Sequence, residues 1–272
     1  MKNLMVLAAV LAASACAVRA QEEAGSPLSF DATADVYSAY VWRGMVLDKH
    51  AVLQPSAKAN LNLGDAGTIS AKVWMNWDIS QKSGHAPQPT RTGGGINELD
   101  FWLSYSIDVG PVSLDAGHIW YTFPGNSWPN HSYSTEEVYL RAAYNNDVIT
   151  PYIGVWYDYN FADGFYGKAG LSKEVKVNDR LAVGGDLSLG AGASHFVAAY
   201  TGNAVHDGAL ADANAKLYTS FKLNDTFAIG ATLAYTYIVD SDLRDLFNAA
   251  GSDNFIGHGG ILWGGINLSA SF

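Results

Sequence analysis

The chain has 272 residues, of which 49% are apolar, 12% aromatic and only 15% charged, with 28 glycines and a formal net charge of -10. These values exclude a disordered, collagen-like or disulfide-stapled chain. The balance of 16 basic against 26 acidic residues excludes nucleic acid as a partner, because a phosphate backbone is bound by clustered Lys and Arg.

Met1-Lys2-Asn3 gives a positive start, Leu4 to Cys16 an apolar run, and Val18-Arg19-Ala20 small residues at the first and third positions before Gln21. The layout predicts a secretory signal peptide over 1–20, with the functional domain over 21–272. The run is too short for a membrane-spanning helix. Cys16 is the only cysteine and falls within the predicted leader, so neither a disulfide nor a thiol nucleophile is expected in the mature chain. A lipoprotein reading of Ala13-Ser14-Ala15-Cys16 lacks the aliphatic residue expected at its first position.

Beyond the leader the dominant period is two. Leu53, Pro55, Ala57, Ala59, Leu61 and Leu63 alternate with polar residues, and after Gly64-Asp65-Ala66-Gly67 the pattern resumes with Ile69, Ala71, Val73, Met75 and Trp77. Twelve strands are predicted near 29–43, 52–63, 68–79, 97–109, 112–121, 135–145, 149–159, 165–177, 181–191, 209–223, 226–238 and 260–272. Their connections alternate between tight turns such as Gly110-Pro111 and Asn224-Asp225 and longer segments such as 44–50, 80–96, 122–134, 192–208 and 239–259. That asymmetry predicts an all-β transmembrane antiparallel up-and-down barrel, with short periplasmic turns and long extracellular loops.

Three features favour a membrane barrel over a soluble one. The strands are long enough for a tilted crossing of the hydrocarbon layer. Aromatics of the apolar parity collect toward strand ends, with Tyr40, Trp42, Trp77, Phe101, Trp120, Tyr157, Phe165 and Tyr235 on the long-loop side and Phe30, Tyr144, Phe221 and Phe227 on the other. The chain also closes on Ile266, Leu268, Ala270 and Phe272, and a terminal aromatic of this kind is expected to engage the barrel-assembly machinery. A closed barrel leaves no backbone group unpaired in lipid. The expected location is the outer membrane of a Gram-negative cell, in contact with outer-membrane lipids.

The opposite parity then lines the lumen. It carries the acids Asp31, Asp35, Asp78, Glu98, Asp100, Asp108, Asp115, Glu137, Asp158, Asp186 and Asp212 against Arg43, Lys58, Lys72, Arg141, Lys168, Lys216 and Lys222. This excess of acid predicts a mild preference for cations in a conducting pore, unless the charges pair across the lumen and no ion passes. Asp35, Arg43, Lys72, Asp100, Arg141 and Asp158 are the expected pore-lining charges, with Trp74 and Trp156 as a constriction. The inward aromatics Trp74, Trp102, Tyr139, Tyr152, Trp156, Tyr166, Tyr218 and Trp263 either guide a polar solute or fill space.

Catalysis has one candidate, His118, which has the outward parity. A Ser-His dyad on the lipid-facing wall would make a phospholipase, but no serine of matching parity stands opposite. No catalytic residue is expected. The remaining histidines, His50, His85, His131, His195, His206 and His258, lack the close spacing of a metal site, and neither metal nor cofactor is expected. The stretch 241–247 predicts one or two helical turns capped by Ser241, placed to fold over the mouth as a lid or plug.

Tyr40-Val41-Trp42-Arg43-Gly44, the stretch from Asp115-Ala116-Gly117-His118-Ile119-Trp120 through Tyr121-Thr122-Phe123-Pro124-Gly125, and Glu137-Val138-Tyr139 resemble the corresponding segments of the TorF-like family of outer-membrane porins. Ala39 stands where that family tends to have Asp, and His118 where it has Tyr. The resemblance implies a barrel and a pore for small polar solutes or ions, without naming a substrate. A non-conducting structural or surface-recognition barrel is the alternative.

Overall fold

The computed structural model describes residues 26–79, 95–124, 134–249 and 259–272. The predicted leader and His85, His131 and His258 lie outside these residues. Twelve antiparallel strands close into one barrel. In chain order its wall is β1 (Leu28–Tyr37), β4 (Val52–Asn62), β5 (Thr68–Asp78), β6 (Gly95–Val109), β7 (Val112–Thr122), β8 (Ser134–Tyr144), β9 (Thr150–Asp158), β10 (Gly164–Lys176), β11 (Leu181–Gly192), β12 (Ala209–Lys222), β13 (Phe227–Ile238) and β14 (Gly260–Ser271). Each strand pairs with its sequence neighbours in the wall. The ring closes where β1 meets β14, with Asp31 opposite Ser271 and Tyr37 opposite Gly265. Phe272 exchanges two backbone hydrogen bonds with Phe30, of 2.8 and 3.0 Å, so the terminal aromatic completes the seam.

The short turns share a mechanism. Asn146, Asn178 and Asn224 each accept hydrogen bonds from backbone N–H groups two and three residues ahead, between 2.7 and 3.1 Å. An Asn side chain standing in for a turn carbonyl lets the chain reverse within a few residues.

Exposure decides which face is which. Ile153, Leu217, Leu262 and Ile266 are all more than 60% exposed on the outer wall (62, 63, 66 and 66%), whereas Glu137 and Asp158, of the opposite parity, are at 0%. A soluble barrel would show the reverse. Inverting the usual arrangement, with apolar residues outside and polar residues within, is stable where the surroundings are hydrocarbon.

The structure departs from the predicted pattern at the first strand, which was expected to run from 29 to 43. It leaves the wall after Tyr37, where Ser38 donates its backbone N–H to Gly264 at 2.9 Å. The chain then forms a separate hairpin, β2 (Tyr40–Trp42) and β3 (Met45–Asp48), in register with Trp42 opposite Met45. Its tip is the two-residue turn Arg43-Gly44, at φ 47° and 82°. Both central residues at positive φ suit the right-handed twist of a two-residue hairpin. Tyr40 and Trp42 are therefore not in the outer aromatic belt. Tyr40 is buried inside the barrel together with Met45 and Val46.

Among the described residues, two α-helices add to the interior. The long connection 192–208 contains α1 (Ser194–Tyr200), and α2 (Ser241–Ala249) occupies the stretch expected to be helical. The cap of α2 is Asp240 rather than Ser241, since its carboxylate accepts the N–H groups of Asp242 and Leu243 at 3.0 Å each. Phe196 and Val197 of α1 and Leu243 and Phe247 of α2 join Met45, Tyr166 and Ile238 in one apolar cluster. The hairpin tip is fitted to this interior. A Cβ on Gly44 would lie 2.6 Å from Ile238 Cδ1 and 2.8 Å from Asp212 Cβ.

Gly44→Val should therefore unseat the hairpin and leave the wall intact, at a backbone strain of about 1–3 kcal/mol. Hydrogen exchange at 40–48 is expected to speed up, while the folded barrel keeps its heat-sensitive mobility on gels.

Candidate functional site: the lumen and its inward hairpin

In the ring, β8 stands almost diametrically across from β1, and Arg43 spans that distance. Its Nη1 and Nη2 each donate to one oxygen of Glu137 at 2.7 Å. The Tyr121 hydroxyl donates to the same carboxylate at 3.0 Å. Around the guanidinium lie the rings of Trp42 and Tyr166, 4.4 and 4.5 Å from the guanidinium carbon, with Phe196 at 5.2 Å and Trp156 at 5.5 Å. Burial opposes the charged form of Arg43, but Glu137 outweighs it and holds the guanidinium charged above its usual range. A planar fork that meets a carboxylate bidentately, with aromatic faces above and below, is the arrangement in which Arg tolerates desolvation.

Two further acids of the outer half are engaged around the same assembly. Asp158 accepts the Thr135 hydroxyl at 2.8 Å, the backbone N–H groups of Asn160, Phe161 and Ala162, and the Tyr200 hydroxyl of α1 at 3.0 Å. It thus ties the β9–β10 turn to the helix. Asp212 accepts the Tyr166 hydroxyl at 2.7 Å. Asp100 is buried, and its register partner Trp74 meets the ring of Tyr40 at a centroid distance of 5.6 Å.

The expected pore residues thus divide into two groups. Arg43, Trp74, Asp100, Trp156 and Asp158 gather at the hairpin and its sockets. Lys72 and Arg141 sit deeper, in the middle of β5 and β8, and Asp35 lies between the two levels, accepting the Thr33 hydroxyl at 3.0 Å. Trp156 packs against the interior cluster beside Arg43. It lies across Gly154, where an added Cβ would come within 2.6 Å of the indole.

This division redistributes the wall charge. Asp78, Glu98, Asp100, Glu137, Asp158 and Asp212, six of the eleven counted acids, are buried in the outer half, together with one base, Arg43. The accessible remainder is five acids against six bases, and Glu174 and Lys176 at the inner rim add one of each.

Sequence reasoning missed the hairpin's Glu137 contact and helix α1. The signal for α1 was present, since Phe196, Val197 and Tyr200 fall on one helical face.

On the outer wall, His118 Nε2 lies 2.6 Å from the Tyr159 hydroxyl, which donates to Glu136 at 2.5 Å. The imidazole rests on Trp120, with ring centroids 3.9 Å apart. Among the described residues no serine hydrogen-bonds to it, and the contacts are those of an interfacial polar cluster. No group of three or more His, Asp, Glu or Cys that could hold a metal occurs among the described residues.

Removing one partner of a buried ion pair strands the other charge. Glu137→Ala is expected to destabilise the fold by about 3–5 kcal/mol, read as an earlier denaturant midpoint in micelles. Arg43→Met together with Glu137→Leu should recover most of that loss.

An outer membrane channel from Pseudomonas putida F1 is similar in structure, with 11% identity over 90% of this chain and 94% of that chain at a TM-score of 0.50. The KdgM porin matches at 9% identity over 90% and 99% of the two chains, TM-score 0.47, and the NanC porin at 10% over 89% and 98%, TM-score 0.46. At such identities the likeness to the Pseudomonas channel speaks for the barrel fold alone, and the two lower scores add nothing to it. No curated protein is similar enough in sequence to count as a relative. Residues 21–241 match the family described as "Bacterial protein of unknown function (Gcw_chp)", and the chain belongs to that family.

Proposed function

We propose that this protein is a porin-type channel of the bacterial outer membrane that passes small polar solutes, and that the β2–β3 hairpin is its inward gate. The observation that carries this reading is the hairpin itself. A barrel needed only as a scaffold is already complete in its twelve hydrogen-bonded strands, yet this chain sends a segment across the lumen and seats it on one bidentate contact, Arg43–Glu137. Below that contact the wall is lined by accessible charges and by Tyr152 and Tyr218, which lie over Gly170 and Gly184. The glycines let these rings lie along the wall, and the inner half keeps room for water and solute.

The resemblance to TorF-like porins agrees with this reading, as does a Phe272 that completes the seam and would present the terminal signal to the assembly machinery. Most of the acids behind the cation preference expected from the whole wall lie buried around the hairpin, and the accessible charge below it has no excess of acid. The filled outer half favours a closed resting state, and a barrel that never opened would be the structural alternative.

Planar-bilayer recording of the refolded mature chain separates the two. Brief, small conductance steps are expected for the wild type, and longer or larger openings for Glu137→Gln, in which the bidentate contact is weakened. Silence from both proteins would overturn the channel reading.

A further inference from the structure

The inner half of the lumen holds five cations, Lys58, Lys72, Arg141, Lys168 and Lys216, near the middle of their strands. None of them makes an ion pair or donates a side-chain hydrogen bond among the described residues. The carboxylates at the same depth are in the opposite condition. Asp31 accepts from Asn60 at 2.8 Å and from Ser271 at 2.9 Å, Asp35 from Thr33 at 3.0 Å, and Asp186 from Tyr152 at 2.8 Å. Asp115, the register partner of Arg141, hydrogen-bonds with Tyr139. Neutral hydroxyls and amides thus occupy the acids, and the cations are left with free donors.

In register, Asp31 stands opposite Lys58 on one side and Asp186 opposite Lys216, and the one like-charge pairing among these five cations lies on the other side of Lys58. Lys58 and Lys72 are direct cross-strand partners on β4 and β5, a like-charge pairing that weakens a sheet unless something lies between the two ammonium groups. Lys72 is steadied from one side by the face of Trp102, 4.9 Å from the ring centroid. Across the lumen, Lys168 lies within electrostatic reach of Asp212 and Asp186 and, more weakly, of Lys216 and Arg141, with no carboxylate of the described residues close enough to pair with it. Lys216 also lines a cavity of ≈ 360 Å³ under the hairpin, together with Tyr218, Thr232, Trp263 and Asn267. That is room for a small organic molecule, with hydroxyl, amide and aromatic contacts beside a cation.

We infer that these five residues form a mid-lumen binding site for small organic anions, carboxylates in particular, and that the channel's solutes are of this class. The inference rests on the channel reading and deepens it. A carboxylate between Lys58 and Lys72 relieves their repulsion and accepts charge-assisted hydrogen bonds from both, while Lys216, with Tyr218 and Asn267, offers a second set of donors on the cavity wall. The hairpin above, closed through Arg43, leaves the site open toward the inner rim.

The test is calorimetric titration of succinate into the refolded mature chain, in zwitterionic micelles at low salt, where charge interactions are least screened. A saturable heat is expected. Lys58→Gln with Lys72→Gln should weaken binding by about tenfold or more, the weight of at least one hydrogen bond between charged groups. Lys216→Gln tests the opposite wall with the β4–β5 pair intact and should also weaken binding. Lys222→Gln, at the inner rim, should leave it unchanged. Folding of each variant is checked by its heat-sensitive mobility. No saturable heat in the wild type, equal affinity in the Lys58/Lys72 and Lys216 variants, or an equal loss in Lys222→Gln would overturn the inference. Binding in micelles needs no current, so a barrel that binds succinate but gives no bilayer steps fails the channel reading alone.

Discussion

The interior of this barrel depends on one ion pair. Arg43, at the tip of the nine-residue hairpin 40–48, reaches Glu137 on the far side of the lumen through two 2.7 Å contacts. An isolated buried charge of either sign is costly, and a bidentate geometry offsets that cost only when the remaining lone pairs and faces are also satisfied. Here Tyr121 takes up the carboxylate and four rings surround the guanidinium. The pair can therefore sit in a dry place, and around it the apolar residues of β3, α1 and α2 find partners that a water-filled barrel would not give them.

From that constraint follows a division of the lumen into two halves of different character. The outer half behaves like the core of a soluble protein, with Met45, Phe196, Leu243 and Phe247 in one cluster and Glu137, Asp158 and Asp212 held by a guanidinium, hydroxyls and backbone N–H groups. The inner half stays wet. Tyr152 and Tyr218 lie over glycines, and its cations make no ion pair among the described residues. The same chain thus builds a hydrocarbon-facing exterior, a compact plug and a charged vestibule with one two-residue alternation, by deciding only where the wall strand is abandoned.

Much of this was legible in the sequence, and the limits have physical causes. The alternation of Leu53 to Leu63, or of Ile69 to Trp77, recurs often enough to set twelve strands, their register class and the outward face, because a slip of one residue would place charges outside. The Asn-led turns carried their own signal. The hairpin escaped because Tyr40 and Trp42 continue the parity of β1 beyond Tyr37, and period alone cannot tell a strand that stays in the wall from one that folds inward. Its one local signature was Gly44, which the turn geometry requires. Parity counted Arg43 among the wall charges although it stands on the hairpin tip, and a net count treats a carboxylate engaged in a socket and one open to water alike. Which acids are spent becomes visible only once Glu137, Asp158 and Asp212 are seen with their donors.

The central claim is that the Arg43–Glu137 pair holds the hairpin inside the barrel. Val46, buried at 5% exposure in β3, reports on it directly. With Cys16 replaced by Ser and Val46 by Cys, the rate at which a charged, water-soluble thiol reagent modifies the refolded barrel measures how often the hairpin leaves its seat. The account predicts slow modification with Glu137 present and a rate several-fold higher once Glu137→Gln is added. Rapid and equal modification in both proteins would contradict it.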